Sequence, residues 1–344
     1  MEHTNPQFGL VLAGGGAKGA YQAGVCKYLA EIGLEPKIIA GTSIGTLNGA
    51  VLASSQSFAQ GVQRLNQLWE QLGQKQVIRP NKSAVLKMLS YGAKAFIPSL
   101  RTWWFDFLVK IGLPKDHNAI FDPEPVETLL REAVDPAKLR QGVELWATVF
   151  PALKIPGLDY DLLMPLVDLL RAQAGTSAHW LRVQDCQDDE TLYNLLLASA
   201  AIPLAFPQRE VNGQFYVDGA FGDNIPLGAL AARGCTFAIV IHLDNGETWS
   251  RHNFPDQTII EIRPEQQINK SNTPVIGFID SLLDFSPERI TELKKRGYED
   301  AQRYLKPILE TFIAIRAIRY SDQKVLPLIQ KLQNDRPLLD DQQV

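Results

Sequence analysis

A serine held between two glycines, Gly41-Thr42-Ser43-Ile44-Gly45, is the stretch of this sequence best suited to do chemistry. Gly-x-Ser-x-Gly at a sharp strand-to-helix turn projects the hydroxyl above a sheet, and the glycines let neighbouring backbone pack close. Such a serine attacks carboxylic esters and forms an acyl-enzyme. The helix that follows aims its amides and positive dipole end at the reaction centre. The plain alternative is a tight turn with an incidental serine, because so short a pattern recurs by chance. Here Ile38-Ile39-Ala40 precedes the serine and a small-residue helix follows, which is the placement the chemistry needs.

Upstream, Gly14-Gly15-Gly16-Ala17-Lys18-Gly19 matches G-x-G-x-x-G between a strand and a helix. A dinucleotide loop of that form requires an acidic residue closing the second strand. That strand closes on Gly41-Thr42-Ser43 instead, and Glu35 lies before it. The other reading is an oxyanion hole drawn from Gly14, Gly15, Gly16, Lys18 and Gly19, whose bare backbone N–H groups would hold the negative oxygen of a tetrahedral intermediate. Each such donor is worth about 3 kcal/mol of barrier.

The serine needs a proton acceptor. The five histidines are His3, His117, His179, His242 and His252. Asp218 followed by His242 fits the chain order of an α/β-hydrolase triad. Yet His242 closes the apolar run Phe237-Ala238-Ile239-Val240-Ile241, a position that usually serves structure. Asp218 could itself be the base. It ends the alternating run Gln214-Phe215-Tyr216-Val217 and precedes Gly219, although a plain Asp-Gly turn reads the same way.

The elements that must position these residues read β-loop-α-β-turn-α over the first 55 residues, with strands at 8–13 and 37–42 and helices at 20–32 and 44–54. That order predicts a parallel sheet with helices on its faces. Further helices are expected at 57–73, 124–134, 191–201, 226–233 and 277–319, and strands at 143–150, 214–218, 236–243 and 258–262. The 344 residues, 45% hydrophobic, suffice for one large domain with a cap. Lys and Arg number 34 against 38 Asp and Glu, so the basic footprint of a nucleic-acid binder is missing. Cys26, Cys186 and Cys235 are widely spaced and form no C-x-x-C pair, which suits a reducing compartment. The start Met1-Glu2-His3-Thr4-Asn5-Pro6 has no signal-peptide character. The expectation is a cytoplasmic protein.

Taken together, these residues resemble the patatin-like phospholipase family. The resemblance rests on the glycine loop, Gly41 to Gly45, Ala198-Ser199-Ala200-Ala201-Ile202-Pro203 and Asp218-Gly219-Ala220. Asn224-Ile225-Pro226 and Gly297-Tyr298-Glu299-Asp300-Ala301 add to it. It implies a three-layer αβα fold with a mainly parallel sheet over residues 8–305, followed by a helical extension and polar tail at 306–344. It also implies a lipid acyl hydrolase with a Ser-Asp dyad. Ser43 would be the nucleophile and Asp218 the base. Gly15 and Gly16 would supply oxyanion N–H groups, and Lys18 a favourable positive charge. Gly41, Gly45, Gly219 and Ala220 support the motifs, and no metal or cofactor is implied. Three departures stand out. Asp218 is followed by Gly-Ala where many members have Gly-Gly. Ala13 replaces the aspartate of plant members, and residues 151–177 stand where many members have a short connection.

Two segments bear on lipid contact. In residues 84–113, Lys87, Lys94 and Arg101 recur at heptad spacing ahead of Trp103, Trp104, Phe105 and Phe107. As a helix this segment would show a cationic and an aromatic side, suiting either an interfacial anchor or a packed cap. Residues 151–177, rich in leucine and proline, suit a lid or an ordinary insertion. One or both segments are expected to line an acyl-chain site for a lipid or fatty-acyl ester, and an interfacial anchor would make the protein peripheral to a membrane. Two rivals share the motifs: a lipid-binding or regulatory protein without turnover, and an acyltransferase using the same acyl-enzyme.

Overall fold

The structure is a computed structural model. It describes residues 8–74, 124–153, 168, 171–172, 174–203, 206–244, 249–268 and 284–334. The chain divides into two compact units, Met1–Asp300 and Ala301–Val344.

The first unit is built on a mixed, mainly parallel sheet. Its central strands are β1 (Phe8–Leu12), β2 (Ile38–Thr42), β3 (Glu144–Pro151), β7 (Phe237–Ile241) and β8 (Thr258–Ile262). They lie side by side in the order β3-β2-β1-β7-β8, all parallel. Every residue of β1 and β2 is buried, as expected of parallel strands covered on both faces. Leu10, Leu12 and Ile39 are fully inaccessible, each contributing roughly 1.5–3 kcal/mol by leaving water. On the far edge of β3, β4 (His179–Arg182) and β6 (Gln214–Asp218) pair antiparallel with it, and β5 (Arg209–Val211) pairs antiparallel with β6. The pairing Val149↔Asp218 brings the end of β6 to the carboxyl end of the parallel strands.

The helices are α1 (Ala20–Glu31), α2 (Ile44–Ala53), α3 (Phe58–Gln74), α4 (Glu124–Ala133), α5 (Pro136–Gln141), α6 (Asp189–Ser199), α7 (Leu227–Ala231) and α8 (Pro287–Asn334). Strand alternation shows that two of them cover opposite faces. A side chain at Gly49 of α2 would meet Leu12, Ile39 and Leu145, whereas one at Gly9 would meet Leu230 of α7. Leu12 and Gly9 point to opposite sides of β1. This gives the three layers expected from the sequence. In α3, Phe58, Val62, Leu65, Trp69 and Leu72 are buried at helical spacing.

The first turns of α8 lock onto α1. A Cβ at Gly297 would stand 2.0 Å from the carbonyl oxygen of Tyr21, and the Tyr21 hydroxyl donates to Asp300 Oδ2 at 2.9 Å. Thus the Gly297 to Ala301 segment serves packing. The second unit is described only along α8, where Phe312, Ile313 and Ile315 are exposed.

The segment 84–113 lies outside the described residues. Of 151–177, the described part shows buried Asp168 accepting from Leu153 N–H and from Arg171 at 2.5 Å. Arg171 also covers the Phe150 ring. Strands β4 and β5 and helix α5 were not foreseen. Strand β4 exposes His179 and Trp180 and carries no clean alternation. Helix α5 is capped by Asp135, which accepts from Ala137 N–H and Lys138 N–H ahead of Pro136 at the first turn, a signal the sequence did contain.

Candidate active site

Ser43 joins β2 to α2 at φ 55° and ψ −126°. A non-glycine residue held there is strained by about 1–3 kcal/mol and persists only where its surroundings enforce it. Close packing does so: a Cβ at Gly45 would stand 2.1 Å from the Leu12 carbonyl oxygen, and one at Gly41 2.5 Å from Gly45 carbon. Serine is a preferred helix N-cap because its oxygen usually binds the first-turn amides. Here the Ser43 side chain makes no capping bond, although Ser43 occupies the N-cap of α2. Its hydroxyl is left for other work.

Asp218 ends β6 with no solvent exposure. Oδ1 accepts from Ala220 N–H at 2.9 Å, while Oδ2 makes no formed hydrogen bond among the described residues. Burial pushes the carboxyl pKa up to about 7, opposed by the Ala220 bond and by a contact with the Ser43 side chain. The Ser43 side chain thus lies near enough to influence the carboxyl without a formed hydrogen bond to Oδ2. Gly219 lets this turn press on β3, where a Cβ would come 2.3 Å from the Thr148 carbonyl oxygen.

The glycine loop sits beside the serine: a Cβ on Gly14 would lie 3.1 Å from Ser43 Cβ. Gly14 was expected among the oxyanion donors, but its N–H is taken by Asn224 Oδ1 at 3.1 Å. Gly15 and Gly16 keep N–H groups for which the described residues offer no acceptor. Gly16, at φ 56°, turns the loop into the short helix Gly16–Gly19. Gly19 is a support, since its carbonyl accepts from Asn48. Lys18 is 3% exposed. Burial brings its ammonium down to about 8, with Asp244 opposing and Arg289 reinforcing the fall. Among the described residues, no three His, Cys, Asp or Glu side chains converge as a metal would require.

His242 follows β7, two strands from β2 in the sheet order. Its Nε2 stands 3.0 Å from Glu261 Oε2, yet among the described residues neither ring nitrogen has a formed hydrogen bond. The Glu261 carboxylate is already committed to Arg251 and Arg263. Burial first, then Arg263, lowers the imidazole to about 4. His179 contacts the Tyr216 hydroxyl instead, and His252 is exposed on the turn Arg251–Asn253. His3 and His117 lie outside the described residues.

Sequence reasoning missed the residues that hold this site. Asn48 donates to Gly19 O and Gln22 Oε1 and accepts from Trp69 Nε1, and Gln22 donates to Ala13 O at 2.8 Å. This fully buried network ties the glycine loop to α1, α2 and α3. An asparagine inside the apolar run 44–54 was the available signal. Asp223 accepts from Thr42 through its carbonyl and from Trp180 through its carboxylate. With its neighbour Asn224 it clamps both loops. Ser199 and Asn224 lie in segments quoted for the family resemblance, but their partners could not be read there.

The sequence matches a family model described as patatin-like phospholipase over residues 10–231, well over half the chain. Among curated relatives, "Patatin-like phospholipase domain-containing protein 7" of Rattus norvegicus is 47% identical over 57 residues, 17% of this chain and 4% of that protein. "Lysophospholipase nte1" of Aspergillus terreus is 60% identical over 45 residues, 13% of this chain and 3% of that one. "Triacylglycerol lipase SDP1L" of Arabidopsis thaliana is 38% identical over 81 residues, covering 21% and 10%. The matched stretches are thus small parts of much longer proteins. A solved structure of VipD from Legionella pneumophila aligns with 88% of this chain and 67% of its own, at 15% identity and a TM-score of 0.45.

Proposed function

The chain belongs to the patatin-like phospholipase family, and from that premise we propose that it hydrolyses carboxylic esters of fatty acids, with Ser43 as nucleophile and Asp218 as general base. The observation that carries the reading is the juxtaposition of an uncapped hydroxyl on a strained turn with a buried carboxyl of raised pKa. Such a carboxyl can take and return a proton near neutral pH. In the first half-reaction Asp218 takes the Ser43 proton as Oγ adds to the ester carbonyl. Gly15 and Gly16 N–H groups hold the resulting oxyanion. Collapse expels the alcohol, which takes the proton from Asp218. Water, deprotonated by Asp218, then attacks the acyl-enzyme; the acyl–Oγ bond breaks, Asp218 returns the proton to Ser43 Oγ, and the fatty acid leaves.

The relatives' names, phospholipase, lysophospholipase and triacylglycerol lipase, share one bond, the ester of a fatty acid. That bond is the substrate class proposed here. Residues 8–305 form the proposed catalytic region, with 306–344 appended. Peripheral membrane contact through 84–113 belongs to the same reading, and no described helix is long and apolar enough to cross a membrane. The test is labelling with a fluorophosphonate and hydrolysis of fatty-acyl esters. Ser43 should carry the label, and Ser43→Ala should lose both signals. Unchanged hydrolysis by Ser43→Ala would overturn the proposal.

A further inference from the structure

Ser199 closes α6 and is completely buried, although no reacting atom requires a hydroxyl at that place. Its Oγ donates to the Thr148 carbonyl of β3 at 2.7 Å. Having spent its one proton, the same oxygen accepts from Ser43 N–H at 3.1 Å and from the Thr46 hydroxyl at 2.7 Å. Two residues on, the Ala201 carbonyl accepts the N–H of Asp218 at 3.0 Å. One turn of chain therefore grips the backbone of both residues assigned to the dyad. Each grip is a single hydrogen bond to the main chain of the residue held. The serine is held from below, against a φ it would not otherwise keep.

We propose that the end of α6, Ser199 to Ala201, is the spacer that sets the Ser43–Asp218 separation, with Ser199 the positioning residue for the nucleophile. The proposal rests on the acyl-hydrolase reading above. Removing the Ser199 oxygen frees the Ser43 amide, relaxes the strained turn and lets the hydroxyl drift from the carboxyl. A second consequence concerns the oxyanion. Because Ser43 N–H is spent on Ser199, the nucleophile's own amide is not a donor to the intermediate, and stabilisation falls to the glycine loop. Displacement of a reacting group by about 1 Å can cost on the order of 100-fold in rate.

The experiment compares wild type, Ser199→Ala and Ser43→Ala on a soluble short-chain p-nitrophenyl ester, together with the rate of fluorophosphonate labelling. Ser199→Ala should lower kcat about 10- to 100-fold, with KM within about twofold and labelling slowed in the same proportion. The acid limb of kcat/KM should move to higher pH, because the Ser43 contact that lowers the Asp218 pKa is weakened. A loss of packing alone would leave that limb in place. The nearly isosteric pair Ser199→Thr and Ser199→Val keeps the test alive if Ser199→Ala does not fold, since the two differ by a hydroxyl. Threonine should exceed valine at least about tenfold in kcat. Equal rates for that pair, or wild-type kcat and labelling in Ser199→Ala, would overturn the spacer. If Ser43→Ala itself keeps full activity, the acyl-hydrolase reading fails and the spacer with it. An inactive Ser43→Ala beside a fully active Ser199→Ala would sink the spacer alone.

Discussion

Asp218 ends one strand of the sheet and His242 directly follows another; both are inaccessible to solvent, and burial is the largest influence on the pKa of each. Their surroundings differ. Asp218 has neutral partners, an Ala220 N–H and the Ser43 side chain, and its carboxyl rises to about 7. His242 is packed against Trp249 and faces Glu261, whose charge Arg251 and Arg263 have already matched. Its imidazole falls to about 4. Desolvation disfavours the charged form in both cases. For a carboxyl that creates a base active near neutrality, and for an imidazole it creates a group that stays neutral and weakly basic. Burial alone therefore does not separate the proposed base from a structural group: it favours the protonated form of the carboxyl and the deprotonated form of the imidazole.

The strongest way to break this contrast is to remove the two groups on the reactive side. Ser43→Ala and Asp218→Asn should each cost about 1,000-fold or more in kcat/KM, measured on soluble esters with the folded state checked by circular dichroism. Retained activity in either would end the dyad. Asp218→Asn should also change stability, and the sign follows from linkage. The folded pKa of about 7 lies above the ordinary 3.8, so the native state keeps a proton that the unfolded chain has lost. Stability from this group is present below about pH 4 and is lost as pH rises through about 7. At pH 8 the asparagine variant should thus be more stable than wild type, by up to about 4 kcal/mol, and the gain should vanish at low pH. Denaturant melts at both pH values check it. A variant destabilised equally at both would show that the carboxyl is not strained by its burial.

What the sequence could disclose divides along the same line as the chemistry. Strands β1, β2 and β7 were legible because burial on both faces writes them as unbroken apolar runs. The glycine loop and Gly41 to Gly45 were legible because each does its work within a few neighbouring residues. The holding residues were not. Ser199 reaches Ser43 across 156 positions and Asn224 reaches Gly14 across 210. Only strand pairing brings such residues together. Asp218 stood between these cases: its Asp-Gly turn was visible, but its approach to Ser43 depends on β6 running antiparallel to β3. Strand β5, three residues long, is too short to carry any period.

A smaller perturbation sharpens the contrast by leaving the dyad intact. Asn224→Ala removes the Oδ1 acceptor of the Gly14 N–H, leaving that N–H only the Asn224 carbonyl at 3.4 Å, and removes the side-chain tie back to the Gly14 carbonyl. The loop that carries the Gly15 and Gly16 donors should become less ordered. We expect kcat to fall about tenfold, a fraction of the effect of removing an oxyanion donor outright, with little change in the pH profile. Wild-type kcat in this variant would mean that the Asn48 network alone fixes the loop.

The smallest effect on rate is expected on the quiet half. His242→Gln should change kcat/KM by no more than about threefold, because among the described residues no hydrogen bond runs from the ring toward Ser43. A loss of several hundredfold would restore the Ser-Asp-His triad. Its effect should appear in acid stability instead. The folded imidazole near 4 lies below the ordinary 6.5, so the unfolded chain takes up a proton that the native state refuses. Wild-type stability from this group is held above about pH 6.5 and lost as pH falls toward 4, by up to about 3 kcal/mol. Glutamine cannot charge, so that acid-side slope should flatten in the variant. The two buried groups thus tilt the stability curve in opposite directions, Asp218 downward with rising pH and His242 downward with falling pH. If Asp218 is the base proposed above, its variants alone should also move the rate, so paired melts and pH–rate profiles on the same variants separate a buried group that reacts from one that is merely buried.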